Sequence, residues 1–316
     1  MAITPNRTLI QKAQDLLTAD LTSSGGLMVP EQRKRFYVKM IEKAKLLKKA
    51  TWYLGMTSPK LELPTIKFGG DFLYPSGEGA ALPSDSMLKP TLSKPTLDVH
   101  TYKGRIGFSE EALEDNIEQG LFVNTVMGSM PDVVARDMEK LVIQSAKNSA
   151  TARLAKFDGL LYSLQSHVTP VSPAVLISID QLEAALSTLP VEYTDDPTGL
   201  EFYTSVRAER AYRQAYGKRM TPGGDTAATR REPMEYQGIP INGLAGILNT
   251  IGGANTTNIV LMNPANLAVG VHRDVKLGIW QDPLSGMYYV ICSVRFDAVL
   301  QDEDGTAKVT GVSVAI

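Results

Sequence analysis

The side chains that most often bind metals or act as nucleophiles are few in this chain and far apart. There are three histidines, His100, His167 and His272, and a single cysteine, Cys292. Zinc sites usually contain His and Cys residues at short spacings such as H-E-x-x-H, and no such spacing occurs here. We therefore interpret each histidine as a surface or packed residue and Cys292 as a small core residue.

Local signatures of other enzyme classes are missing as well. The chain has no G-x-S-x-G elbow for a nucleophilic serine and no phosphate-binding G-x-x-x-x-G-K-[ST] loop. Gly77-Glu78-Gly79 is not followed by a third glycine at dinucleotide-binding spacing. The sequence thus predicts no catalytic residue, no cofactor and no metal. Catalytic carboxylate pairs form in space, so an enzyme with a non-local site stays open as an alternative.

Composition indicates an ordinary folded protein. Of 316 residues, 43% are hydrophobic and 21% are charged, which leaves room for about two domains. The net charge of -2, without a basic stripe, argues against a tight grip on nucleic acid and allows only non-specific contact. The N-terminus has no apolar signal core, and no stretch is long and apolar enough to approach a membrane span. A single cysteine is typical of a protein from a reducing compartment. We therefore expect synthesis in the cytoplasm.

The segment from residue 59 to residue 108 is the most informative part of the chain. Residues 61–68 and 99–108 read as two strands, the second with His100, Tyr102, Ile106 and Phe108 on one face. Residues 69–95 between them are rich in Gly, Ser and Pro and cannot build a core of their own. Apolar residues in such a segment need cover, and a neighbouring subunit is the simplest cover. The predicted inter-subunit contact residues are Phe72, Leu73, Tyr74, Glu78, Leu82, Met87 and Leu88.

A long helix is predicted next, over about residues 121–147. Its apolar stripe recurs at steps of three and four residues, and Pro131 predicts either a kink or a new helix start. The stripe consists of Val126, Met130, Val133, Val134, Met138, Leu141 and Val142.

From residue 178 onward the pattern alternates between helices and strands. Asp180 to Glu183 has the spacing of a capping box, and Ser205 is predicted to cap a helix that ends near Gly217. Asn263-Pro264 predicts another helix start. Residues 288–297 alternate strictly, with one wholly apolar face, and a turn at Asp304-Gly305 predicts a hairpin with residues 308–316.

The order of these segments resembles the Hong Kong 97-type major capsid proteins of tailed bacteriophages over nearly the whole chain. The matching steps are Gly25-Gly26-Leu27-Met28-Val29-Pro30, the extended loop, the long spine helix, and Val294-Arg295-Phe296-Asp297, which is similar to an Arg-x-Asp step common in that family. The implied fold class is α+β: an N-terminal arm (1–58), an extended β-hairpin loop (59–105), a peripheral domain with the spine helix (106–170, joined by 284–316) and an axial α/β domain (171–283).

The resemblance implies a structural protein and not an enzyme. Such chains assemble as hexamers and pentamers into an icosahedral phage head that encloses double-stranded DNA, with a portal protein as partner and no membrane. We expect a virion subunit that is synthesised and assembled in the host bacterial cytoplasm. Some members of the family carry a scaffolding domain before the extended loop. Because only about 58 residues precede that loop here, we expect a separate scaffolding protein instead.

Two family features leave alternatives open. Some members form a crosslink between a loop lysine and an asparagine near the C-terminus; Lys67, Lys89 and Lys94 can offer the amine, but no asparagine follows Asn266, so we predict no crosslink. Encapsulins, bacterial compartments with the same fold that enclose cargo enzymes, are the first alternative, and a cytoplasmic enzyme is the second.

Overall fold

A computed structural model describes residues 44–68, 73–75, 89–109, 122–195, 197–218, 233–249, 255–272, 276–282 and 286–314. Four sequence features lie outside these residues: the helical spacing from Leu9 to Leu17, the Gly25 to Pro30 step, the acidic residues after Ser109 that predict a helix start, and most of the polar segment 218–233 that predicts a loop. None of the described helices is long and apolar enough to cross a lipid bilayer.

A five-stranded sheet is organised around one long strand, β14. Its strands are β1 (Thr51–Leu54), β6 (His100–Ser109), β12 (Leu267–Val271), β13 (Lys276–Asp282) and β14 (Met287–Leu300). Strand β14 pairs antiparallel with β6, β12 and β13, and β1 pairs parallel with β12. Val290, Cys292, Val294 and Phe296 are buried, which confirms the predicted apolar face. Burial raises the pKa of the Cys292 thiol to about 11, as expected of an inert core cysteine.

Helix α1 (Phe122–Gln144) confirms the predicted long helix, and most of the described part of its apolar stripe packs on this core, although Val133 is exposed. Met138, Leu141 and Val142 are buried, and the helix continues through Pro131. The connector to helix α2 (Leu160–Ser163) passes so close to α1 that a Cβ at Gly159 would lie 2.6 Å from the carbonyl oxygen of Val142. Only glycine fits that position.

The sequence pattern from about Glu31 to Lys49 predicts a helix, and for the described end of that segment, just before β1, the prediction is wrong. Residues 45–49 form turns, and Leu46 and Leu47 are buried against α1. The reason is Glu139 of α1, whose buried carboxylate accepts a hydrogen bond from the Leu46 amide at 2.7 Å. A side chain from another element thus satisfies a backbone group that a helix would otherwise bond internally.

A six-stranded sheet forms the other half of the described molecule. Its strands, in spatial order, are β7 (Val168–Pro170), β15 (Thr306–Ser313), β11 (Thr256–Met262), β8 (Glu201–Ser205), β10 (Ile239–Leu244) and β9 (Met234–Tyr236). Its helices are α3 (Ile179–Thr188), α4 (Val191–Thr194) and α5 (Val206–Gly217), with short 3-10 turns at Pro197–Gly199 and Pro264–Asn266. Buried residues of α3 and α5 share a core with this sheet.

Capping residues explain where these helices begin. Ser205 accepts a hydrogen bond from the Ala208 amide and caps α5, as predicted. The capping box of α3 lies two residues earlier than predicted, because Ser178 and Gln181, and not Asp180 and Glu183, exchange the bonds. Asn263 caps only the 3-10 turn Pro264–Asn266, and β12 follows directly.

The predicted C-terminal hairpin is wrong in its pairing. Strand β14 belongs to the five-stranded sheet, whereas β15 pairs with β11 and β7 in the six-stranded sheet. Alternation specifies which face of a strand is buried but not which strand lies beside it. The turn at residues 301–305 therefore carries the chain from one sheet to the other, and it lies next to the arm described below.

Candidate assembly surface

A narrow two-stranded arm extends from the five-stranded sheet. It consists of β2 (Lys60–Glu62) paired antiparallel with β5 (Thr96–Asp98), and β3 (Thr65–Lys67) paired with β4 (Thr91–Ser93). Each side is split into two short strands near a proline, Pro64 or Pro95, which cannot donate to the ladder. The Leu63 amide bridges the break by donating to the Pro95 carbonyl at 2.9 Å.

The arm confirms a two-stranded extended loop but corrects its return strand. Residues 61–68 pair with residues of the segment 91–98, part of which was predicted as loop, and not with residues 99–108. The latter form β6, which pairs with β14 over its whole length. Tyr102, Ile106 and Phe108 pack against the core of the five-stranded sheet, as their predicted common face requires.

The base of the arm is buried by its own chain. Leu97 has no exposed surface and forms a small cluster with Leu63 and Ala268. Four partly buried neighbours, Tyr53, Met56, Leu61 and Val299, complete the cluster. This part of the arm therefore needs no second molecule to cover it.

Asp297 fixes the point at which the arm returns to the sheet. Its buried carboxylate accepts hydrogen bonds from the amides of Asp98, at 2.7 Å, and Ala298, at 2.8 Å. Burial raises the pKa of this carboxyl to about 6, although the two amide bonds and the nearby His100 act in the opposite direction. Asp297 is the acidic residue of the Val294 to Asp297 step, so that step holds β5 where β6 begins.

The outer part of the arm exposes large apolar side chains. Ile66 and Leu92 are directly opposite each other across the β3·β4 pair, and their exposures are 57% and 63%. Phe68 and Leu73 are exposed as well, Leu73 to 87%. We call Ile66, Phe68, Leu73 and Leu92 the apolar strip. Several exposed apolar side chains on one short arm are typical of a surface that another molecule covers.

The predicted contact residues divide into two groups. Leu73 and Tyr74 are described, and both are exposed, as a contact role requires. The other predicted contacts, Phe72, Glu78, Leu82, Met87 and Leu88, lie outside the described residues. Ile66, Phe68 and Leu92 are exposed as well but were not among the predicted contacts. Within the described residues no third strand flanks the β3·β4 pair, and the sequence carries no local signal for that absence.

Lys67 connects the arm to the turn between the two sheets. Its amine forms ion pairs with Asp302 and Asp304. Partial burial acts to lower the pKa of Lys67, but the hydrogen bonds that its amine donates to both carboxylates outweigh that effect and raise the pKa. Partial burial acts to raise the pKa of Asp302, but hydrogen bonds donated by Lys67, Tyr193 and the Asp304 amide outweigh that effect and lower the pKa.

The three histidines lie on different elements. His272 is buried after β12, His167 lies 3.9 Å from a carboxylate oxygen of Asp304, and His100 is half-buried at the start of β6. Within the described ranges, no three His, Cys, Asp or Glu side chains come together as a possible metal site.

The chain is similar in sequence and in structure to phage capsid proteins. A protein of Bacillus subtilis (strain 168) named "Putative prophage capsid protein YqbE" is 27% identical over 312 residues, which cover 97% of this chain and 99% of that one. The satellite phage P4 procapsid, solved with its size determination (Sid) protein, matches with a TM-score of 0.68 at 13% identity, over 96% of this chain and 98% of that one. The chain has the fold of a phage capsid protein.

The capsid-protein fold extends to a further solved shell. The holo-SrpI encapsulin complex from Synechococcus elongatus PCC 7942 matches with a TM-score of 0.58 at 10% identity, over 86% of this chain and 88% of that one. No protein-family model matches the sequence. The resemblance to phage capsid proteins is confirmed, and these relatives point to a structural role.

Proposed function

We propose that this chain is the shell-forming subunit of a tailed-phage head with the Hong Kong 97-type arrangement. In this proposal residues 1–58 are an N-terminal arm, 59–105 the extended loop, 106–170 with 284–316 the peripheral domain, and 171–283 the axial domain. The observation that carries it is the apolar strip on an arm whose base is already folded. The capsid fold and the 27% identical prophage relative support the same conclusion.

The arm has the physical properties of an inter-subunit contact. Ile66 and Leu92 form a cross-strand pair that is open to solvent, so covering them with a neighbouring chain removes apolar surface from water. Each contact contributes modestly, but a closed symmetric assembly repeats it in every subunit. We infer that the strip of one subunit lies on the body of the next, with Leu73 and Tyr74 in the same contact.

The remaining parts of the proposal concern the finished particle. Subunits form hexamers and pentamers that close into an icosahedral shell around double-stranded DNA, and they assemble in the bacterial cytoplasm. The net charge of -2 limits repulsion between many copies and suits loose, non-specific contact with DNA. A portal protein and a separate scaffolding protein are the proposed partners.

Electron microscopy of the purified full-length protein tests the proposal. We expect ring-shaped oligomers or shells of repeated rings, and sedimentation far faster than that of a single 34.3 kDa chain. A monomer or a small oligomer at every concentration, in the presence of the proteins encoded beside it, would contradict the proposal and favour the enzyme alternative. Closed, uniform shells from this chain alone would refute the need for a separate scaffolding protein.

An encapsulin-type compartment is the second candidate, because the encapsulin from Synechococcus elongatus PCC 7942 shares the fold. The contents of particles isolated from the native source distinguish the two. Packaged DNA and one tail-bearing vertex support a phage head, whereas protein cargo without DNA supports a compartment.

The predicted absence of a crosslink has its own test. The sequence offers no asparagine after Asn266 as a partner for Lys67, Lys89 or Lys94, and Lys67 is also paired with two carboxylates. Mature particles should therefore give single chains on a denaturing gel. A ladder of covalent multimers would show that the prediction is wrong.

A further inference from the structure

A charged contact joins the outer arm to the body of the same chain. Lys67 ends β3, and its partners Asp302 and Asp304 lie in the turn between β14 and β15, more than 230 residues away. The amine and the Asp302 carboxylate are both partly buried, so water and salt screen their attraction less than in an exposed pair. The contact crosses from the arm to the turn that links the two sheets.

The receiving carboxylate is held in place by groups that do not belong to the arm. The Tyr193 hydroxyl donates to one oxygen of Asp302, and the Asp304 amide donates to the other at 3.0 Å. The Asp302 amide in turn donates to Asn266 Oδ1 at 2.8 Å. These bonds come from α4, the 3-10 turn Pro264–Asn266 and the turn itself. The site is thus preorganised for a cation whether or not the arm is docked.

A neighbouring acidic residue fixes the same turn from its other side. The Glu303 carboxylate accepts hydrogen bonds from the amides of Gln165, at 2.8 Å, and Ser166, at 2.9 Å. Consequently the turn presents Asp302 and Asp304 from a rigid frame. Among the described residues, Lys67 is the only lysine or arginine at ion-pair distance from either of them.

Because side chains alternate along a β-strand, the Lys67 contact determines which face of β3 points to solvent. Successive side chains point to opposite sides of a strand, so Lys67 and Ile66 face opposite ways. Lys67 is half-buried towards the body, whereas Ile66 and its cross-strand partner Leu92 are exposed. Docking Lys67 on the turn therefore directs the Ile66–Leu92 pair outward.

We infer that Lys67, Asp302 and Asp304 form an intrachain latch that holds the arm with its apolar strip facing outward before subunits meet. The latch exists in the single chain. Its consequence for assembly rests on the function proposed above, because only there does the strip receive a neighbour.

Lysine acylation of the unassembled full-length protein tests the latch. The chain offers a matched control: Lys60 pairs with Asp98 on the same arm at 3.2 Å, but that pair does not reach the body. Acetic anhydride is added in limiting amounts, and acylation of each lysine is followed by mass spectrometry in the wild type, Asp302→Asn and Asp98→Asn. We expect Asp302→Asn to raise the rate at Lys67 about fivefold, the size of effect that a contact of about 1 kcal/mol gives, and to leave Lys60 unchanged. Asp98→Asn should leave Lys67 unchanged.

An internal reporter shows whether the variant is folded. Lys308 donates to the carbonyls of Leu161 and Leu164 at 2.8 and 2.7 Å, so it should stay slow in every folded variant. If Lys308 also accelerates in Asp302→Asn, Asp304→Asn replaces it and is expected to accelerate Lys67 alone. Equal Lys67 rates in the wild type and in a folded aspartate variant would overturn the latch.

The assembly consequence is read separately by electron microscopy of Lys67→Gln and Lys60→Gln. We expect fewer regular shells from Lys67→Gln and normal shells from Lys60→Gln. Faster Lys67 labelling in Asp302→Asn, in a protein that never forms shells, supports the latch and refutes the proposed function. Normal shells, together with unchanged Lys67 labelling in Asp302→Asn, support the proposed function and refute the latch.

Discussion

The base and the outer part of the arm have similar sequences and opposite environments. At the base, Leu97 is wholly buried beside Leu63 and Ala268. A few residues away, Leu92 is exposed to 63% opposite an exposed Ile66. Both leucines lie in short strands flanked by Thr and Ser or Asp, so residue type does not explain the difference. What differs is the presence of a third element, strand β12, beneath the base.

This contrast separates what a single chain can stabilise from what needs a partner. The base is completed by Ala268 and by the Asp297 carboxylate, both from the five-stranded sheet. The outer arm is tied to its own body mainly through the polar contact of Lys67. A polar tie fixes position but leaves apolar surface in water, and that surface is the driving force available for association.

The largest expected effect comes from the base. Leu97→Ala should lower the free energy of unfolding by about 3 kcal/mol, because it removes buried contacts and leaves a cavity. Urea unfolding of the unassembled protein measures the change. The matched variant Leu92→Ala should change it by less than about 0.5 kcal/mol, since that side chain is exposed. Equal losses for the two leucines would break the comparison.

Asp297 predicts a pH dependence of stability. Its folded pKa of about 6 lies above its ordinary value of 3.8, so the folded protein binds the proton more tightly than the unfolded chain. The contribution of Asp297 to stability should therefore fall as pH rises from about 4 to about 6 and then level off, with a change of about 3 kcal/mol. Urea unfolding of the wild type and Asp297→Asn across this range measures it, because asparagine does not titrate. Parallel curves would show that burial does not shift this carboxyl.

Asp302, beside the outer arm, should behave with the opposite sign. Its folded pKa is lowered below 3.8, so its contribution to stability is present at neutral pH and is lost as pH falls through the folded pKa. The difference between the wild type and Asp302→Asn should thus shrink only in strong acid. If the stability difference between the two proteins instead changed between pH 4 and 6, the pKa of Asp302 would not be lowered, and the prediction would be wrong.

The smallest effects separate the two lysines of the arm. Lys67→Gln should cost about 1 kcal/mol of stability, because its charge is shared with the partly buried carboxylate of Asp302 and the exposed one of Asp304. Lys60→Gln should cost less than about 0.5 kcal/mol, because both partners of that pair are exposed to solvent. Thermal or urea unfolding at low and high salt checks the order. Equal costs would mean that the latch adds nothing to an ordinary surface pair.

Much of the fold could be predicted from periodicity and capping residues. The buried face of β14, the spine helix and the Ser205 cap are local patterns and were predicted. The pairing of β15 could not be, because alternation carries no information about the neighbouring strand. The turns before β1 depend on Glu139, which accepts a hydrogen bond from the Leu46 amide, 93 residues away in the sequence. No local pattern predicts a contact at that separation.

The candidate site was predicted in kind but only partly in its residues. Gly, Ser and Pro content marked an arm without a core, and Leu73 and Tyr74 are exposed on it. Ile66 and Leu92 were missed, because their exposure follows from the absence of a flanking strand, which is a fact of topology. Lys67 was considered only as a crosslink donor, since its aspartate partners are distant in sequence.

Shell formation by a variant of the apolar strip tests the central claim most directly. Ile66→Ser combined with Leu92→Ser is compared with Lys94→Ser, an exposed polar change on the same arm. Electron microscopy and sedimentation should show shells from the wild type and Lys94→Ser, and soluble, folded, unassembled protein from the double variant. Normal shells from the double variant would contradict the claim that this strip joins one subunit to the next.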